Sequence, residues 1–338
     1  MIDANTLYQE MLKPSEALLA DITRVNGDIM ILGVGGKMGP ALARLAKQSI
    51  DIAGVKKNII GVARFSERSI QAELDSQGVK TIEADLLDEQ QLKNLPDAEN
   101  ILYLAGTKFG TTGKEPLTWA MNSYLPGRIA EKFMRSRIVA FSTGNVYPLM
   151  PVGSGGATER QLPEPIGEYA QSCLGRERIF QYFSSKNNTP TLIYRLNYAN
   201  DVSYGVLLDI AKAVKESQPI DLNMGYVNVI WQGEANELAL RCLSHCSSPS
   251  KILNITGSET SSVRHIALAF GKMFNIQPAF TNEEQDTALL SNASECHRLF
   301  GPQKISLDTM VEIIARWIQA GGKILNKPTH FQEREGRF

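Results

Sequence analysis

The sequence predicts an α/β protein, a doubly wound parallel sheet followed by a smaller C-terminal substrate-binding region. Three observations carry this expectation. Short continuous apolar runs recur along the first two thirds of the chain, as strands buried on both faces require. Stretches of helical period lie between them, so strands and helices alternate. The first apolar run ends in three glycines spaced by three, Gly33, Gly36 and Gly39, and a helix opens behind them.

Residues 1–27 form a helical N-terminal extension, with helices expected from Thr6 to Leu12 and from Ser15 to Val25. Pro14-Ser15 opens the second and Asn26-Gly27 closes it. Its Leu18, Leu19 and Ile22 make an apolar side that packs on the main body or on another subunit. Residues 28–197 read as a Rossmann-type dinucleotide-binding domain. Ile29 to Leu32 is its first strand, and Lys37 and Met38 lie inside the glycine turn. Glycines let the backbone turn sharply and approach a pyrophosphate, and the helix N-terminus offers unpaired N–H groups and a partial positive charge. Pro40 sits where a helix tolerates proline, in its first turn.

The second strand, Asn58 to Ala63, ends in Arg64-Phe65-Ser66-Glu67-Arg68. An acidic residue here bonds a ribose 2′-hydroxyl, whereas arginine suits a 2′-phosphate. Arg64, helped by Ser66 or Arg68, therefore favours NADP over NAD. Gly78 to Ala84 is a third strand, closed by Asp85-Leu86. Asn100 to Leu104 is a fourth, running into Ala105-Gly106-Thr107-Lys108-Phe109-Gly110. A helix from Leu117 to Met134 carries Asn122. Arg137 to Phe141 is a fifth strand, and a Pro/Gly-rich loop from Leu149 to Gly167 leads to a helix that starts near Glu168 and holds Tyr169 and Cys173. Thr191 to Leu196 is a sixth strand.

Residues 198–326 read as the substrate-binding region. Its helices are Val206 to Ser217, Glu234 to His245, Val263 to Phe274 and Leu307 to Ala320. A short strand is expected from Val227 to Trp231, and Ile252 to Ile255 returns to the sheet. The polar tail, residues 327–338, is expected to order only against a partner.

Bulk composition bounds the function. The chain has 338 residues, 35 basic against 36 acidic, for a net charge of −1. No charge excess draws it to nucleic acid or anionic lipid. No apolar run approaches the ~18 residues of a membrane span, and the N-terminus lacks a signal core. Four cysteines in a chain of this length suggest a reducing, cytoplasmic setting. Cys242 and Cys246 flank His245 at a helix end with no second ligand pair, and the four histidines are scattered, so no metal is expected.

With these motifs in order, the chain resembles the extended short-chain dehydrogenase/reductase family, whose members are NAD(P)-dependent epimerases, dehydratases and reductases. The resemblance covers roughly Ile29 to Gln319. Gly33, Gly36 and Gly39 match its cofactor loop, Asp85-Leu86 its adenine contact, Leu104-Ala105-Gly106 the strand end beside the nicotinamide ribose, and Asn122 its helix asparagine. Phe141 to Tyr147 looks like the segment that supplies the catalytic Ser/Thr, here Thr143. Tyr169 falls where the catalytic tyrosine would stand, and Arg195-Leu196-Asn197-Tyr198-Ala199 matches the segment closing over the nicotinamide.

One departure matters most. The family pattern is Tyr-x-x-x-Lys, and here it is Tyr169-x-x-x-Cys173. Positions four apart share a helix face, so Cys173 takes the place of the lysine that, by resemblance, anchors the ribose and lowers the tyrosine pKa. Tyrosine titrates near ~10, so ionising it at pH 7 unaided costs about 4 kcal/mol. Three readings follow. Tyr169 still donates a proton to a reduced carbonyl, with Thr143 orienting the oxygen and another cation, such as Lys108, replacing the lysine. Alternatively the fold keeps the cofactor and has lost the chemistry, acting as an NADP-binding or redox-sensing protein. In the third, Cys173 is itself reactive.

Expected substrate contacts are Thr107, Lys108, Asn145, Asn197, Tyr204, Trp231 and Arg241. Arg241 shares a helix face with Glu237, where an ion pair is the plainer reading. The resemblance implies a sugar, sugar acid or sugar nucleotide as substrate. Residues 229–236 depart from the family's His-x-x-Asp pattern, which leaves room for a free sugar or sugar acid. It also implies a homodimer built on the Leu117 to Met134 and Glu168 to Phe183 helices, with Phe133, Phe180 and Phe183 available to that interface or to the core.

Overall fold

The computed structural model describes residues 3–108 and 113–337. Phe109 and Gly110, at the end of the run behind the fourth strand, lie outside them, as does Phe338. Seven strands form the main sheet: β1 (Ile29–Leu32), β2 (Ile59–Ala63), β3 (Lys80–Glu83), β4 (Asn100–Tyr103), β5 (Arg137–Thr143), β6 (Thr191–Leu196) and β7 (Lys251–Ile255). Their order is β7-β6-β5-β4-β1-β2-β3, and every neighbouring pair is parallel. The chain therefore starts in the middle of the sheet and reverses direction between β1 and β4. The crevice beyond the strand ends at that switch is where such a sheet holds ligands.

Alternation along β1 divides the core. Ile29 and Ile31 join the apolar cluster with Leu42, Leu45, Ala46 and Ile50, while Met30 and Leu32 face the opposite layer with Ile101, Tyr103, Ile129 and Phe133. A helix covers each face because both rows are apolar. On the first face, α1 (Ala4–Glu10) and α2 (Glu16–Arg24) precede the sheet, and α3 (Gly39–Ile52) follows the glycine turn. Leu18 and Ile22 of α2 are fully buried in this chain's own core. Tyr8 of α1 packs edge-on to Trp231 and lies 5.3 Å from the ring of Trp317. The extension thus docks on the body of its own chain.

The helix expected from Leu117 to Met134 is interrupted. Glu115–Trp119 is α-helical, Ala120–Tyr124 is a π-turn, and α4 (Leu125–Lys132) continues behind it. Pro126 has no N–H to give the Asn122 carbonyl, so the backbone widens there. Asn122 is fully buried in that turn. Next, α5 (Gly167–Asn187) carries Tyr169 and Cys173. The two helices pack on each other, and Phe133 and Phe180 go into the core, leaving Tyr124 and Tyr182 exposed.

The last third builds a second core around α6 (Val206–Lys215), α7 (Gln232–Arg241), α8 (Val263–Phe274) and α9 (Leu307–Gln319). The strand expected from Val227 to Trp231 splits into two-residue pieces, Tyr226–Val227 and Ile230–Trp231. The helix from residue 232 tightens after Arg241 into a single 3-10 turn. Residues 327–337 do not wait for a partner. Phe331 is buried in the second core, and Arg334 donates to the backbone oxygens of Asn223 and Thr287.

Candidate functional site

Two cavities meet at the glycine turn. One, of about 360 Å³, lies over β2 and is lined by Gly33, Gly36, Arg64, Ser66, Asp85, Leu86, Leu104, Ala105 and Gly106. The other, of about 380 Å³, lies against α5 and is lined by Lys37, Met38, Gly39, Thr107, Lys108, Thr143, Asn145, Tyr169, Asn197 and Tyr204, among others. Gly33, Gly36, Leu104 and Gly106 border both.

The turn between them is a cradle shaped by missing side chains. Gly33 has φ +90°, and a Cβ there would stand 2.7 Å from the Ala105 backbone nitrogen. A Cβ on Gly39 would collide with the Val34 carbonyl, so α3 begins pressed against the turn. Met38, at the N-cap of α3, supplies no side-chain cap. The first N–H groups of that helix, Pro40 having none, therefore lack a side-chain cap at the border of the Tyr169 cavity, where the positive end of a helix favours an anion. The cradle fits a dinucleotide pyrophosphate. Asp85 spends one carboxylate oxygen on the Leu87 N–H at the rim of the Arg64 cavity.

The Tyr169 cavity holds most of the expected chemistry. Thr143 ends β5, the Tyr169 hydroxyl shares hydrogen bonds with the Thr143 hydroxyl and the Cys173 thiol, and Asn145 Oδ1 accepts from Thr143 Oγ1 at 2.9 Å. Burial pushes the Tyr169 phenol well up, and Cys173 adds to this; Arg176 and Thr143 act the other way. Burial also raises the Cys173 thiol, so it stays protonated at neutral pH. The Lys108 ammonium stands 5.7 Å from the centre of the Tyr169 ring, and burial pushes its pKa down to about 8. Lys37 lies over the Tyr204 ring at 3.7 Å. Burial, then the charges of Lys108 and Lys327, push it down to about 7.

Arg176 is the residue that the motif reading missed. It follows Tyr169 by seven positions, two helical turns along the same face, and its side chain lines the Tyr169 cavity. It is buried, donating to the Phe141 carbonyl at 2.8 Å and to Asn122 Oδ1 at 2.7 Å. A Cβ at Gly106 would displace the Arg176 guanidinium and press on Asn122 Oδ1, so glycine here leaves the arginine its place. Asn122 in turn holds Thr107, accepting from its N–H and donating to its carbonyl, and so braces the loop that carries Lys108. The spacing of seven was the only signal for Arg176, and it lay beyond the Tyr-x-x-x-Lys window.

Three expected contacts stand elsewhere. Arg68 lines neither cavity and forms a two-pronged pair with Glu83 at 2.5 and 2.9 Å. Trp231 is fully buried in the second core, where its large ring is needed as packing. Arg241 pairs with Asp21 at 2.7 Å and lies near Glu237, tying α7 to α2. Each takes the structural role because a pairing partner or an apolar pocket lies nearer than the cleft. Asn197 is at the cavity but buried, donating to Asn228 Oδ1 at 2.8 Å. Among the described residues no cluster of three or more histidines, cysteines or carboxylates is arranged to hold a metal, and no helix is long and apolar enough to cross a membrane.

No protein-family model matches the chain, and no curated protein does. Solved structures match it over most of its length. A UDP-glucose 4-epimerase from Thermotoga maritima, solved with UDP-glucose, has a TM-score of 0.70 at 13% identity, covering 87% of this chain and 99% of that one. A UDP-glucuronic acid 4-epimerase from Bacillus cereus, solved with UDP-glucuronic acid and NAD, has a TM-score of 0.71 at 17% identity, with the same coverage. An epimerase from Methanothermobacter thermautotrophicus has a TM-score of 0.73 at 15% identity, over 90% of this chain and 96% of that one. The chain shares with these structures a Rossmann-type α/β fold.

Proposed function

We propose that this protein is an NAD(P)-dependent enzyme of the epimerase, dehydratase or reductase type that acts on a carbohydrate-derived small molecule. The observation that carries this reading is the convergence of Tyr169, Thr143 and Arg176 in one cavity that opens onto the glycine turn. A nicotinamide held there supplies hydride exchange with a substrate carbon.

The chain's own groups do the rest. Thr143 positions the substrate oxygen beside Tyr169, its hydroxyl turning from Asn145 Oδ1 to donate to it. Tyr169 transfers a proton to that oxygen. Its raised pKa suits donation, the reducing direction, better than abstraction. Arg176 takes over the electrostatic role that the family's lysine has, stabilising the phenolate left after donation. A buried guanidinium stays charged across the working pH range. Lys108 adds a second, titratable cation near the ring.

Arg64 lines the cavity over β2, where a 2′-phosphate would lie, which supports NADP as the preferred cofactor. Tyr124 and Tyr182, exposed on the paired helices, together with Leu117 and Met134, support a homodimer through that face. A cytoplasmic setting is consistent with four free cysteines.

The test is fluorescence titration with NADPH and NADH, followed by turnover assays on nucleotide sugars, free sugars and sugar acids. Tight NADPH binding with turnover of at least one class supports the proposal. Binding without turnover, and no gain on varying the substrate, favours the cofactor-binding reading, for which the Cys173 substitution is the motivating observation. Equal or tighter NADH binding would sink the role given to Arg64.

A further inference from the structure

The segment after residue 326 crosses the cleft as a strap, and it was not part of any motif. Thr329 anchors it. Its N–H and hydroxyl both donate to Asp209 Oδ2, at 2.7 and 2.6 Å, at the start of α6. Thr329 is buried and lines the Tyr169 cavity. Two residues earlier, Lys327 lines the Arg64 cavity together with Gly33 and Gly36. Farther along, Phe331 enters the second core and Arg334 donates to Thr287 Oγ1 at 2.7 Å. Gly336 then lies so close to Gly167 that neither position has room for a side chain. Gly167 begins α5, two residues before Tyr169.

The strap therefore runs from the glycine turn to the foot of the helix that bears Tyr169. It brings one cation to the cofactor side. Lys327 is close enough to Lys37 for their charges to repel, and Lys37 sits within the glycine turn. Lys327 lines one of the two cavities that meet at the glycine turn and Lys37 lines the other, so two cations flank the turn where a doubly charged anion would lie. The neighbouring carboxylate, Asp209, is turned to the strap's own backbone. Lys327 itself is exposed, so its charge is available to a ligand.

We propose that the C-terminal strap completes the cofactor site, with Lys327 as a ligand of the dinucleotide pyrophosphate opposite the glycine turn. This rests on the dinucleotide reading above. Thr329 is the positioning residue, because its two bonds to Asp209 fix where Lys327 stands. The strap borders both cavities, so a bound cofactor is held from two sides: the backbone of the turn and the side chain of the strap.

The test uses the full chain and reads binding, by quenching or enhancement of NADPH and NADH fluorescence at low and high salt. Lys327→Ala is expected to weaken both cofactors roughly tenfold at low salt, as loss of one charge-assisted contact does. The difference shrinks at high salt, where exposed charges are screened. Lys327→Glu weakens both further, and Lys327→Arg restores most of the affinity. Thr329→Val loosens binding several-fold with Lys327 intact. Circular dichroism checks that each variant is folded. If Lys327→Ala and Lys327→Glu bind both cofactors as the unaltered protein does at low salt, the inference is overturned and the dinucleotide site stands. If the unaltered protein binds neither cofactor, both fall.

Discussion

Arg176 and Cys173 lie three positions apart on one helix and have opposite fates. Cys173 occupies the lysine position but is buried and protonated, packed with Val146, Tyr147 and Ala157. Cys173→Ala is therefore expected to leave turnover within about threefold, since a neutral thiol of this kind acts as a small hydrophobe. Cys173→Lys places a second buried cation close to Arg176, so a lower urea midpoint without faster turnover is expected. Arg176 is the charged group. Arg176→Met is expected to lower kcat/KM about a hundredfold, roughly 2.7 kcal/mol of transition-state stabilisation. The pH–rate profile of any residual activity separates an electrostatic role from a merely structural one. Loss of the guanidinium moves the tyrosine limb, whereas loss of packing alone does not.

The element that holds this site in place is α5, and its anchor is a buried network. Arg195 of β6 makes two bonds to Glu177 of α5, at 2.9 and 2.6 Å, and a third to the Tyr147 hydroxyl at 2.6 Å. Glu177 also accepts from Ser142 Oγ, and Tyr147 donates to Asn254 Oδ1 at 2.8 Å. One helix is thus fixed to β5, β6 and β7 at once. Glu177→Ala leaves Arg195 buried and unpaired, for which a loss of about 3–5 kcal/mol is expected, read from chemical denaturation. The double variant Glu177→Leu with Arg195→Met is expected to recover much of that loss, because removing both charges removes the unpaired one. The π-turn before α4 acts at the same scale. It turns Asn122 inward to brace Thr107 and to hold Arg176.

Across the whole molecule the cleft concentrates positive charge although the net charge is −1. Lys37 with a pKa of about 7 and Lys108 at about 8 each lose their charge as pH rises above neutrality. An anionic cofactor favours their protonated forms, so binding takes up protons near pH 8. Affinity is then expected to fall between pH 7 and pH 9. Calorimetry in buffers of different ionisation heat measures the proton uptake directly. The sign for stability is opposite in cause. Both pKa values lie below the usual ~10.4 of lysine, so the unfolded chain binds more protons above pH 7 to 8. The contribution of these two groups to stability therefore rises with pH up to that of free lysine.

The parallel sheet, the glycine turn and the order of Arg64, Asp85, Thr143 and Tyr169 behind it were legible in the sequence. Each rests on local physics: apolar runs buried on both faces, turns that only glycine can make, and helix periodicity. The places where reading failed are those that depend on who the neighbour is. Arg68 found Glu83 and Trp231 found an apolar pocket, while Arg241 made the Glu237 pair that its helix face implied and found Asp21 as well. The same dependence runs the other way for Arg176 and Lys327, which have no motif of their own. Arg176 reaches the site because Gly106 leaves room for it, and Lys327 because a strap some 290 residues beyond the glycine turn folds back across it. Sequence alone determined which backbone was built and where its cleft would open. Only tertiary structure decided which cations face that cleft, because a side chain's charge acts through distances that the order of residues does not contain.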